Sequence, residues 1–343
     1  MRSAFGERFE VPSGYLNTAS IGVPPSRAVE AVDRAVQRWR TAENTAPEFD
    51  EPVAVARRAW ARMARVDPNT VASGTSVSQL VALVASGVPD GTKVLVADGD
   101  FTSLSFPFAA QAHRGVTVTE VAQAELGHRA AEFDLVAVSV VQSADGTIAD
   151  LDALRESGAR VLLDATQSIG WLPVELGWAD WVVGSSYKWL LGPRGCAWLA
   201  ISAAARSSTL PVAANWYAGE NPWDTIYGLP LRLAGDARAF DLSPVWLSQV
   251  GAAASMPWLA GLDRAEVHAH CVGLADGLLA GLGLPSRGSA IVSIGLPDAA
   301  DRLEAAGIRC AVRAGRPRLS FHLYNTQDDV DRALAALRDR HPG

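Results

Sequence analysis

Gly184-Ser185-Ser186-Tyr187-Lys188-Trp189-Leu190-Leu191-Gly192-Pro193-Arg194-Gly195 is the stretch on which the reading of this chain turns. The apolar run 181–184 ends in hydroxyl residues; a lysine follows between two aromatics, and Gly-Pro-Arg-Gly turns the chain back. In a parallel sheet, ligands gather beyond the carboxyl ends of the strands, so this lysine lies where an amine can act chemically. The plain alternative is a solvated surface lysine. Here Trp189, Leu190 and Leu191 bury the segment instead. Lysine is also scarce: of 30 Lys and Arg residues, only Lys93 and Lys188 are lysines. A chain that uses arginine wherever positive charge suffices keeps lysine where an amine must lose its proton and form an imine. Codon bias with two leftovers is the bland explanation.

Outward from that stretch, seven short apolar runs at 71–72, 93–97, 116–121, 135–141, 160–163, 181–184 and 196–201 alternate with helical stretches such as 77–86 and 151–157. The spacing predicts an α/β fold with a mainly parallel seven-stranded sheet covered on both faces. Residues 25–41 and 52–65 read as amphipathic cover helices. Residues 211–230, rich in Trp, Tyr, Gly, Pro and Asn without a period, read as a long ordered loop. Runs at 290–296, 308–313 and 317–323, with helices at 299–306 and 328–337, predict a small C-terminal α+β domain. The expected organisation is an N-terminal segment over 1–20 packing near the site, a large domain over 21–249 and a small one over 250–343.

Composition narrows the partners. Apolar residues make up 49% and charged residues 20%, as in soluble globular chains. A net charge of −7 without a basic stripe argues against nucleic acid. Residues 1–11 hold no apolar signal core, and no run approaches the ~18 apolar residues of a membrane span, so a cytoplasmic protein without a membrane partner is expected. Cys196, Cys271 and Cys310 lack metal-ligand spacing, so neither a metal site nor a disulfide framework is indicated. No nucleotide-binding glycine motif follows a strand.

Two further segments follow strand ends. Gly74-Thr75-Ser76 opens the helix from residue 77, where free N–H groups and hydroxyls form a cup for a phosphate; an ordinary Ser/Thr helix cap is the plainer reading. In Asp164-Ala165-Thr166-Gln167, a carboxylate at a strand end could pair with a protonated pyridine nitrogen, and Gln167 could donate to a ring phenolic oxygen. Asp is also a common turn residue. An amine, a carboxylate and a phosphate cup at the ends of three strands together suit pyridoxal 5′-phosphate (PLP).

With these residues the chain resembles the class V aminotransferases of PLP fold type I, a group that includes cysteine desulfurases, kynureninase and isopenicillin N epimerase. The likeness runs over nearly the whole chain, through Tyr15-Leu16-Asn17-Thr18-Ala19-Ser20, the three segments above, Ala237-Arg238-Ala239-Phe240-Asp241 and Arg318-Leu319-Ser320-Phe321-His322. The resemblance implies that Lys188 holds PLP as a Schiff base, Asp164 pairs with the pyridine nitrogen and Gln167 touches the phenolic oxygen. It implies that Thr75, Ser76, Ser185 and Tyr187 bind the phosphate, and that Phe101 stacks on the ring unless it is a core residue. Arg318 matches the arginine that receives a substrate α-carboxylate, with Asn17 on the substrate side. The resemblance also implies a homodimer, with Ser243 reaching the partner subunit's phosphate.

Departures from the family pattern are informative. Residues 313–318 are too short to carry the desulfurase cysteine loop, and Cys310 reads as a strand residue. Phe101 and Tyr187 stand where desulfurases tend to have histidines, and Gln142 or Ser143 stands near a common asparagine. The expected activity is a PLP-dependent reaction on an amino acid or amine, with Lys188 as general base at Cα and transamination the first expectation. The alternatives are a β-eliminating C–S or C–C lyase, an epimerase, or a non-catalytic protein on the same fold. Trp216, Tyr217 and Trp223 either line the side-chain pocket or pack their loop.

Overall fold

Runs of Val, Leu and Ala without polar alternation need cover on both faces, and the computed structural model, which describes residues 1–338, gives them that cover. An antiparallel hairpin, β1 (Arg2–Ala4) and β2 (Glu7–Phe9), precedes helices α1 (Ser26–Arg40) and α2 (Asp50–Ala64). The main body then runs β3 (Val71–Gly74), α3 (Val77–Gly87), β4 (Lys93–Ala97), α4 (Thr102–Ala109), β5 (Thr117–Val121), α5 (Leu126–Arg129), β6 (Leu135–Ser139), α6 (Leu151–Glu156), β7 (Arg160–Asp164), β8 (Trp181–Ser185) and β9 (Ala197–Ile201). Two helices, α7 (Trp246–Gly261) and α8 (Arg264–Gly281), lead to β10 (Ile291–Ser293), α9 (Ala299–Ala305), β11 (Ala311–Arg313), β12 (Arg316–Ser320) and α10 (Gln327–Leu337). No described helix is long and apolar enough to cross a membrane.

All seven expected strands form one sheet, in the order β3-β9-β8-β7-β6-β4-β5. Only β9 runs against its neighbours. Its reversal has a local cause: residues 186–196 hold no helix, and a parallel return needs a crossover of a dozen or more residues. The connection that carries Lys188 is therefore a reversal at the sheet's carboxyl edge. Register aligns the rest of that edge, with Ser139 opposite Asp164, and with Gly74 and Ser185 both opposite Ala197. Residues 140–141, expected in the fourth apolar run, 135–141, leave the sheet instead, Val141 bridging to Ile148.

One sheet face packs against α2 and α7, where Trp60 stacks on Trp198 at 6.2 Å; the other carries α3 and α4. A separate core, including Leu16, lies between α8, α9, α10 and the three-stranded sheet β10-β12-β11. A boundary at 249/250 falls inside α7, whose Ala252, Met256 and Leu259 belong to the main core. The passage between cores occurs along α8, from Cys271 and Val272 to Leu278 and Leu279. Cys310, expected in a strand, immediately precedes β11.

One buried ion pair ties α2 to β3. Arg57 of α2 donates to Asp241 at 3.0 and 2.6 Å and to the Val71 carbonyl at 2.6 Å, while Asp241 accepts from the Ser73 amide at 2.7 Å. Both side chains are buried, so removing one partner strands the other charge. Arg57→Met is expected to cost ~3–5 kcal/mol in urea unfolding. A cost below ~1 kcal/mol would show the pair to be replaceable.

Candidate active site

The carboxyl ends of β3, β4, β6, β7 and β8 converge on a cavity of about 200 Å³. Of the residues expected there, Thr75, Ser76, Phe101, Asp164, Gln167, Ser185, Tyr187 and Lys188 line it. Of the two residues left open by the sequence, Ser143 lines it and Gln142 does not. Asn17, Arg318 and Ser243 do not line it. Among the described residues, no group of three His, Cys, Asp or Glu side chains is placed to hold a metal ion.

Lys188 is 6% exposed, with Nζ 5.3 Å from the Phe101 ring centroid and 5.7 Å from that of Tyr187. Burial lowers its pKa to about 8, against the opposing pull of Asp164, and Arg318, Arg313 and Arg194 reinforce the fall. An amine so poised is still mainly protonated at pH 7 and turns neutral as the pH rises through about 8, well below the ordinary lysine range. Asp164 ends β7 fully buried; burial raises its pKa, while hydrogen bonds from Thr166, one from its amide at 2.8 Å, and the charge of Lys188 oppose the rise. Phe101 is 46% exposed, so it is a ring presented to the cavity and not a core residue.

At the other end of the cavity, Thr75 and Ser76 head α3. Ser76 caps that helix, accepting from the Gln79 amide at 3.4 Å, and both hydroxyls bond the Gln79 side-chain oxygen. The helix-cap reading therefore holds for Ser76. Ser185 Oγ is buried without a partner, an open valence in a pocket that also holds Ser78 and the cationic Arg194. Gln167 is held firmly: Nε2 donates to Ala19 O and Ser143 Oγ at 3.0 Å each, and Oε1 accepts from Trp189 at 2.7 Å.

Arg318 lies behind Ser143. Its Nη1 donates to the Ser143 carbonyl at 2.5 Å and hydroxyl at 3.2 Å, its Nη2 to Ser20 Oγ at 2.7 Å, and Nε is buried without a partner. Burial, then the charge of Arg313, lowers its pKa to about 10. Asn17 bridges to Ser320 beside it and leaves Oδ1 buried without a partner. Ser243 is exposed. The sequence reading missed Asp100 and Ser139: Asp100, buried, accepts from the Ser139 amide and hydroxyl at 2.8 and 2.6 Å and from the Phe101 amide at 2.7 Å, fixing the turn that presents Phe101. Its position just after an apolar run was the available signal. Trp216 and Trp223 pack on each other at 5.1 Å, and Tyr217 and Trp223 donate to Asp50, so this cluster packs its loop.

A buried amine beside a carboxylate, a presented aromatic face, and a hydroxyl-rich helix start with an unpartnered serine match the donors that a flat, phosphorylated pyridine aldehyde requires. The fold and site define a PLP-dependent enzyme of fold type I. The family pattern of the class V aminotransferases matches residues 33–290, and the chain belongs to that family. It is 26% identical to the uncharacterized aminotransferase YcbU of Bacillus subtilis, over 94% of each chain. It is 27% identical to isopenicillin N epimerase of Amycolatopsis lactamdurans, over 79% of this chain and 81% of that one. Among solved structures, the cystine C–S lyase C-DES in complex with cysteine persulfide superposes with a TM-score of 0.83 at 20% identity, covering 95% of this chain and 97% of that one.

Proposed function

We propose that this enzyme is a β-eliminating lyase: Lys188 takes the Cα proton of an amino acid and a sulfur substituent leaves from Cβ, with no enzyme thiol taking part. The observation that carries this is a cavity with a single amine base, Lys188, and no cysteine in its wall. Cys196 and Cys271 are buried elsewhere with their thiol pKa values driven up by burial, and Cys310 lies outside the cavity. A thiol-relay desulfuration has no nucleophile here, whereas an elimination needs none.

PLP, when bound, supplies the electron sink that makes the Cα proton acidic. In this reading Phe101 covers the ring face, Asp164 keeps the ring nitrogen protonated, and Gln167 lies toward the phenolic oxygen. Thr75, Ser76, Ser185 and Tyr187 hold the phosphate, with Ser243 reaching the phosphate of a second subunit in a homodimer. Arg318 exchanges its bonds to Ser20 and Ser143 for the substrate carboxylate, beside Asn17. Transamination would use the same amine. The name of YcbU is on its side, whereas the C–S cleavage named for C-DES and the epimerisation named for the Amycolatopsis protein weigh toward elimination or epimerisation.

The 27% identity to an epimerase over 79% of the chain supports racemisation as the second reading. Holoenzyme incubated in heavy water with S-substituted cysteines and with single-enantiomer amino acids separates the outcomes. Elimination breaks Cα–H and Cβ–S, the sulfur leaves as a thiol, and water hydrolyses the remaining enamine to pyruvate and ammonia. Pyruvate and ammonia in equal amounts are the expected result. Deuterated opposite enantiomer without pyruvate would establish the epimerase, and a pyridoxamine form reversed by a keto acid would establish the transaminase.

A further inference from the structure

A second cavity, about 260 Å³, opens between the end of α2, residues 170–172 and the α7–α8 junction. Its floor is apolar, formed by side chains that include Met63, Trp171 and Leu259, and its walls carry Arg62, Arg65 and Arg264. Arg65 pairs with Glu175. No carboxylate lies within ion-pair distance of Arg62 or Arg264 among the described residues.

Arg264 is the informative member. Its Nη2 donates to the Val174 and Leu172 carbonyls at 3.1 and 3.5 Å, which fixes the guanidinium, while Nη1 is buried with no hydrogen-bond partner. A buried, unpaired cationic donor is costly, and an anion relieves that cost. Burial and the nearby Arg65 lower the pKa of Arg264, as expected for a positive charge short of counter-charge. An inorganic ion would leave the apolar floor wet; a ligand with an apolar body and one anionic end satisfies floor and wall together.

We infer that this cavity binds a small organic anion of aryl-carboxylate type, its ring against the apolar floor that Trp171 helps to line and its carboxylate on Arg264 and Arg62. The site is separate from the one around Lys188 and independent of the reaction proposed there. It is not remote in contact, however. Trp171 donates to the Gln167 carbonyl at 2.6 Å and packs 5.7 Å from Trp189, the residue after Lys188. Gly170 is pressed so closely on Trp189 that a Cβ would sit 2.8 Å from its carbonyl oxygen. An occupant against that floor thus bears on the segment that carries the lysine.

The test is calorimetric titration of holoenzyme, its cofactor fixed by borohydride, with 1-naphthoate and with the neutral isostere 1-naphthylmethanol. One saturable naphthoate site per chain is expected, with the alcohol at least roughly tenfold weaker because it leaves the guanidinium unpaired. Ala260→Trp, which fills the cavity, and Arg264→Met, which keeps the apolar stem, should each weaken naphthoate about tenfold or more. Ala260→Trp keeps the inference testable if Arg264→Met fails to fold. No saturable binding, equal affinity for acid and alcohol, or undiminished binding in a folded Ala260→Trp would overturn it.

Discussion

Lys188→Ala is expected to lower turnover by roughly 10²–10⁴-fold or more, the range associated with loss of a positioned general base, and to abolish borohydride trapping of PLP on the peptide that contains residue 188. No other amine can substitute. Lys93, the only other lysine, opens β4 at the amino edge of the sheet, whereas the cavity lies at the carboxyl edge. The direction with pH follows from burial. The amine attacks an aldehyde only when neutral, and its pKa is lowered to about 8. Capture of added PLP by apoprotein should therefore rise with pH through about 8, not through the usual lysine range near 10.5. Trapping on Lys93, or a capture profile that first rises near 10.5, would contradict the assignment.

Asp164→Asn should be nearly as damaging, by about 10²–10³-fold in turnover, the size seen when a preorganised electrostatic partner is removed. Two losses combine. In the proposed mechanism the ring nitrogen loses the anion that keeps it protonated, and Lys188 loses the one nearby charge that favours its ammonium form. The second loss has a readout that a purely structural defect would not give. Without Asp164, burial and the three arginines act unopposed, so the Lys188 pKa falls further and the rise of PLP capture moves to lower pH. A variant that folds, captures PLP along an unchanged pH profile and turns over normally would remove Asp164 from the mechanism.

Residues that complete a single strand end were legible because their position is set locally. Lys188, Asp164, Ser185 and the Thr75–Ser76 pair each follow an apolar run, and a strand within a parallel sheet delivers its next residues to one edge whatever its neighbours are. Asp100 follows such a run too, yet Asp98-Gly99-Asp100 also reads as a plain turn. Its role emerges only because β6 lies beside β4, which brings the Ser139 amide within 2.8 Å. Arg318 marks the limit most clearly. Its type and strand position suggested a carboxylate receiver, but its present partners, Ser20 and Ser143, come from two other parts of the chain.

What the sequence by itself determined is the class of fold and the chemical pieces: apolar runs too continuous to face water, and after them an amine, a carboxylate and hydroxyls with free helix N–H groups. These follow from short-range rules of polarity and spacing. Tertiary structure alone decided how the pieces stand to one another: Lys188 driven to about pKa 8, Phe101 presented to it, Arg318 tucked behind Ser143, and an arginine-walled cavity backing onto Trp171. Desolvation and the fields of distant charges depend on what packs around a group, and no local pattern in the chain carries that information.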